Sequence, residues 1–138
     1  LRDLFEIRMM LEPQAARLAC LRGTDEELQE IARRAECVAQ AIREGKNFSQ
    51  PEETFHQAFV AATHNPFMEQ LLPIIHNALH EAWAALDVES LLAQPTLQDN
   101  ELLMGFLRQR DEEGVQYAMA AHIRHTINLL DQAGFGSV

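Results

Sequence analysis

Glu52-Glu53-Thr54-Phe55-His56-Gln57-Ala58-Phe59-Val60-Ala61-Ala62-Thr63-His64-Asn65-Pro66 is the stretch from which the chain is best read. Phe55, Phe59 and Ala62 recur at steps of four and three, the spacing of one buried helix face, and Pro51 is acceptable in the first turn. His64-Asn65-Pro66 ends that helix, and Asn65 followed by Pro66 has the form of a cap and first residue of the next. His64 is therefore expected to be exposed at the break. Glu52 and His56 stand four apart and share a side of the helix. A carboxylate and an imidazole held this way are two preassembled ligands for zinc or another divalent first-row ion. The same spacing is more often an ordinary surface pair, so its meaning depends on what the rest of the chain brings to it.

Working outward, every flanking segment has helical spacing. Arg2 to Arg22 carries Leu4, Ile7, Leu11, Ala15 and Leu18 on one stripe, with Pro13 expected to bend it. Arg8 borders that stripe one turn before Glu12, either as a surface ion pair or as an inward guanidinium for an anionic ligand. Gly23 closes this helix, and Thr24 with Glu27 makes a capping box for a second, whose stripe is Leu28, Ile31, Ala35, Val38 and Ile42. A fourth helix is expected from about Phe67 towards Val88, kinked at Pro73, with His76 and His80 as another pair four apart. Glu89 to Gln98 reads as a loop-like break, with Thr96 capping a fifth helix that ends near Gln109. Leu97, Leu103, Met104 and Leu107 mark its inner face, and Asn100 lies on that face. A sixth helix begins near Asp111, with Val115, Met119, Ile123, Thr126 and Leu130 as its stripe and His122 among them. Gly134 to Val138 reads as a frayed tail. The pattern is an all-α antiparallel bundle of about six helices around a central ligand cavity, occupying residues 1–133.

The 138 residues suffice for one core without disulfides, and 47% hydrophobic with 23% charged content fits a globular chain. Cys20 and Cys37 fall outside any metal or redox spacing and read as reduced, mostly buried thiols. No apolar run suits a membrane span and no leader pattern opens the chain, so a cytoplasmic location is expected. A formal net charge of −10 argues against direct binding to a phosphate backbone. Leu1 opens directly inside a helical pattern, so the chain reads as a fragment with something before it.

Three helices thus offer interior polar groups: Glu52 and His56, Asn100, and His122. The set Ile7-Arg8-Met9-Met10-Leu11-Glu12, Glu52-Glu53-Thr54-Phe55-His56, Ala62-Thr63-His64-Asn65, and Asp111 with Val115, Met119 and His122 resembles the ligand-binding C-terminal domain of the FadR subfamily of GntR transcription regulators. In that family an Asp and three His commonly hold a divalent metal over which a small carboxylate binds. The resemblance implies Glu52, His56, Asn100 and His122 as metal ligands, with zinc favoured and nickel or manganese possible. Glu52 stands where Asp is usual, one methylene longer. Asn100 stands where a His is usual, and an amide oxygen is a poor zinc ligand. Either the remaining three residues hold the metal with Asn100 or water, or the cavity binds its effector through hydrogen bonds alone. Arg8, Asn100, His76 and His80 are the expected effector contacts. The resemblance further implies a homodimer that reaches DNA only through an N-terminal winged helix-turn-helix outside this chain. A metal-dependent hydrolase is the alternative from another class, although no general base, HExxH or nucleophile elbow is present. A metal-free acyl-ligand sensor is the alternative within the family.

Overall fold

The computed structural model describes residues 1–135. It contains six helices: α1 (Arg2–Arg22), α2 (Asp25–Arg43), α3 (Ser49–Ala62), α4 (Pro66–Ala84), α5 (Glu89–Arg108) and α6 (Glu112–Gln132). No strand occurs among the described residues, and no helix is long and apolar enough to cross a membrane. α1 packs along α6 and also touches α3 and α4, while α5 lies between α6 and α2, and α2 covers α3. Phe55, Phe59, Ile31, Leu103, Leu107, Met119 and Ile123 are fully enclosed between them. That apolar interior supplies most of the driving force for folding, at about 25 cal/mol per Å² removed from water.

The helix boundaries follow local chemistry. Thr24 and Glu27 form the reciprocal capping box, and Asn65 accepts from the amides of Phe67 and Met68 with Pro66 in the first turn. The Asp111 carboxylate accepts from Gly114 N and starts α6. At its far end Gly134 takes φ +89°, and Phe135 N donates to Leu130 O at 2.8 Å, a helix stop of the Schellman type. Phe135 packs against the core. The remainder of the expected tail, residues 136–138, lies outside the described residues.

Three expectations are corrected. Glu89 to Gln98 is not a loop: α5 starts at Glu89 and runs through Pro95 and Thr96. Leu92, Thr96, Leu103 and Leu107 lie on its buried face, and this continuous stripe outweighs the amide lost at Pro95. α4 correspondingly stops at Ala84, and Asp87, with φ +50°, turns the chain into α5. On α1 the inward face is Phe5, Arg8, Glu12, Ala15, Ala16 and Ala19; of the expected stripe Ala15 is buried, whereas Ile7 is exposed and Leu4, Leu11 and Leu18 are only partly buried. The apolar stripe misplaced this face because two of its inward residues are charged. Cys20 is buried, but Cys37 is exposed on α2.

Candidate metal and ligand site

Glu52, His56 and His122 converge. Their ligand atoms lie within 4.8 Å of one another, and all three residues are buried. Phe55 and Phe59 anchor α3 in the core and thereby turn Glu52 and His56 inward, while Met119 and Ile123 do the same for His122 on α6. The His56 and His122 rings stack at 5.6 Å between centroids.

Each imidazole is oriented from behind by a carboxylate. His56 Nδ1 donates to Glu12 at 3.1 Å, and His122 Nδ1 donates to Asp99 at 2.9 Å. An ionised carboxylate only accepts, so both Nδ1 atoms carry protons and both Nε2 atoms are directed to the site. This is the carboxylate–histidine arrangement that fixes a ring for metal ligation. With Glu52 the two rings could offer a metal three protein ligands, a donor set that would suit zinc and be acceptable to nickel or manganese.

A second trio, Glu12, His56 and His76, is equally compact. Glu12 is already committed, however: Arg8 Nε donates to one of its oxygens, while His56 and His76 Nε2 approach the other at 3.1 and 3.2 Å. A guanidinium against that carboxylate opposes a further cation, whereas Glu52 is hydrogen-bonded by His56 and the Asn100 amide and faces His122. The Glu52 trio is the better cation site.

The charges agree with this division. Burial alone would raise the Glu12 carboxyl, but Arg8 and hydrogen bonds from His56 and His76 bring it well below its usual range. Glu52 is also lowered, with burial outweighed by His56, His122 and Asn100. Burial disfavours charge on His56, yet Glu12 and Glu52 on either side push its pKa up to about 9. Without a metal His56 holds a proton on each nitrogen, and a cation at the site would take the place of the proton on Nε2. Asp99 is lowered too, burial being outweighed by His122 and by the half-exposed His125.

The other expected residues are placed as follows. Asn100 is buried and donates from Nδ2 to both oxygens of Glu52, at 3.2 and 3.4 Å, while its Oδ1 lacks a partner. In this rotamer it steadies Glu52, and ligation would require the amide to turn. Arg8 is inward, 4% exposed, and its guanidinium lies 5.3 Å from the Phe5 ring centre. His76 is buried, and His80 sits at the mouth within 3.4 Å of Ser49 and 3.6 Å of Glu53. His64 is outside the site, on the surface with Glu27. A chamber of about 40 Å³ is bounded by Arg8, Glu52, His56, His76, Trp83 and His122. It adjoins a groove of about 240 Å³ that shares Ser49, His80 and Trp83 with it.

Sequence reasoning missed Asp99, Trp83 and the orienting role of Glu12. Asp99 stands three residues after Thr96 on the buried face of α5, a spacing visible once Glu89–Gln98 is read as helix. Glu12 gave a weaker signal, since a pair four apart on one helix is usually solvated.

The fold is an all-α bundle with a buried acid–histidine cluster beside a small chamber. The chain belongs to the FCD domain family of GntR-type regulators, and the FCD domain model matches residues 3–125. It is 25% identical over 131 residues to the galactonate operon transcriptional repressor of Escherichia coli (strain K12), covering 92% of this chain and 56% of that protein. Among solved structures it is similar to a Streptococcus agalactiae GntR, with a TM-score of 0.78 and 26% identity over 91% of this chain and 56% of the other. The chain thus spans about half the length of these relatives. Its kinship is with transcription regulators and not with enzymes, which supports a regulatory role over the hydrolytic alternative.

Proposed function

We propose that this domain, residues 1–133, senses a small carboxylate through a divalent metal held by Glu52, His56 and His122. The observation that carries the reading is the pair of histidines, each backed by a carboxylate at Nδ1 and each with a ligand atom within 4.8 Å of the Glu52 carboxylate. A metal bound there would act as a Lewis acid for the effector carboxylate, with zinc the best match to the donors. Arg8 supplies a second cationic contact on the chamber wall, His76 and His80 line the path outward, and Asn100 steadies Glu52 or, with its amide turned, adds an oxygen. Effector binding then favours one packing of α1, α3 and α4 over another, and a linked DNA-binding domain outside this chain reads the difference.

The domain works as a homodimer in this reading. Ile7 and Met10 on α1 and Phe67, Leu71 and Ile74 on the adjacent α4 are exposed, an apolar concentration of the sort that marks interfaces. The acidic balance of the chain leaves DNA contact to the other domain, and a regulator of this kind acts in the cytoplasm.

Elemental analysis after reconstitution with zinc, nickel or manganese tests the centre. About one ion per chain is expected, with His56→Ala and His122→Ala each weakening retention strongly and His64→Ala leaving it unchanged. Near-zero metal under all three conditions would remove the coordination reading. Size-exclusion with light scattering tests the dimer, which Phe67→Lys with Ile74→Lys should dissociate.

A further inference from the structure

Asp99 and Asn100 are neighbours on α5, and between them they hold two of the three candidate ligands. The Asp99 carboxylate accepts from His122 Nδ1 at 2.9 Å, and Asn100 Nδ2 donates to both oxygens of Glu52. One short piece of α5 therefore sets a ligand from α6 and a ligand from α3 against each other. Whatever holds that piece in place bears on the geometry of the trio.

The second oxygen of Asp99 accepts from His125 Nδ1 at 2.8 Å, across 26 residues of sequence. His122 and His125 are three apart on α6, so both rings stand on one side of that helix, and each takes one oxygen of the carboxylate. Asp99 lies below the usual carboxylate range, burial being outweighed by these two rings, so it is ionised and both contacts are charge-assisted. A carboxylate gripped at one oxygen can still swing about its Cβ–Cγ bond. Gripped at both, it is fixed in plane as well as in position. Side-chain exposure falls from 56% at His125 to 10% at Asp99 and 6% at His122, so a surface residue reaches the buried trio through two hydrogen bonds. His125 lies outside both acid–histidine trios and outside the chamber wall, so its contact with Asp99 is its link to the site.

We propose that His125 is a positioning residue for the candidate metal centre: through Asp99 it locks the His122 ring and the turn of α5 that carries Asn100, and so presets His122 against Glu52. This rests on Glu52, His56 and His122 holding a metal, as set out above, and adds a surface residue on which the affinity of that site depends. A solvated pair that contributes only to the stability of the bundle is the alternative.

Two measurements test it, one with zinc and one without. Chelator competition should show zinc affinity weakened about five- to tenfold in His125→Ala, less than the loss expected at Asp99, which touches the ring directly. His125→Asn, whose amide replaces the Nδ1 donor, should return the affinity to within about twofold of the unaltered chain. Arg17→Ala, which removes the Arg17–Glu112 pair between α1 and α6, is the control for a lost surface contact and should leave zinc affinity unchanged. In the zinc-free chain, NMR of isotope-labelled histidines should show the His122 Nδ1–H exchanging with water at least about tenfold faster in His125→Ala, and at its original rate in His125→Asn. Undiminished zinc affinity in His125→Ala, or a His125→Asn variant as weak as the alanine one, would overturn the positioning role, as would unchanged exchange at His122. If the unaltered chain takes up no zinc, the metal reading falls and the proposed effect on affinity with it, while the exchange measurement still decides whether His125 fixes His122.

Discussion

Metal uptake by this domain should release a proton and strengthen with pH up to about 9. The perturbation is pH alone. His56 sits between Glu12 and Glu52, which hold its pKa at about 9, so near neutrality a cation must displace the Nε2 proton before it can bind. At pH 7 that proton sits two units below its pKa, which weakens apparent affinity about 100-fold, or about 2.7 kcal/mol, relative to the deprotonated ring. Chelator competition should show affinity rising by about one decade per pH unit from 7 towards 9 and then levelling. Calorimetry in two buffers of different ionisation enthalpy should count about one proton released per ion at pH 7. Affinity flat over that interval, with no proton released, would refute the placement of His56 as a ligand through Nε2. The metal-free chain supplies an internal check of sign. The folded pKa of His56 is raised from 6.5 to about 9, so its contribution to stability is complete below about 6.5 and is lost as pH climbs through about 9.

Asp99→Asn should reduce metal affinity roughly 10- to 100-fold while leaving the circular dichroism of the bundle unchanged, because Asp99 orients His122 and does not itself complete the site. Glu12→Gln leaves the buried Arg8 without its counter-charge and should cost about 3–5 kcal/mol in urea denaturation, far more than the loss of an exposed pair such as Arg43–Glu36. Gly114→Ala puts a Cβ 2.2 Å from Phe106 Cδ1 and 2.8 Å from the capping Asp111 carboxylate; a loss of about 1–3 kcal/mol is expected by thermal melt, with metal binding retained.

The periodicity of apolar residues carries the architecture: Phe55 and Phe59, Ile31 and Val38, and Val115 with Met119 and Ile123 are all buried where their spacing puts them. It fails where polar groups face inward. α1 turns Arg8 and Glu12 to the interior, and α5 does the same with Thr96, Asp99 and Asn100, so a rule that equates inward with apolar rotated the first helix and dissolved the start of the other. Pro95 compounded the second error, because proline usually marks a boundary and here lies inside a helix held by Leu92 and Leu103. The convergence of Glu52, His56 and His122 in the candidate site was legible because each stands at helical spacing beside a buried aromatic or aliphatic anchor. Glu12 and Asp99, which aim the two rings, act across 44 and 23 residues of sequence respectively, and no local spacing reports contacts of that range. Trp83 shows itself only through an atom left without a partner in three dimensions, whereas His76 was already among the expected effector contacts.

The sharing of His56 between Glu12 and Glu52 also bears on the order in which guests arrive. With the imidazole doubly protonated, Arg8 and His56 balance Glu12 and Glu52, while a third buried carboxylate, Asp99, stands behind His122, so an incoming anion meets no surplus attraction. Exchanging one proton for a doubly charged ion would make the interior more positive by a single charge, the amount one carboxylate cancels. Under the proposed function, an acid arriving before the metal would find a chamber without that added positive charge.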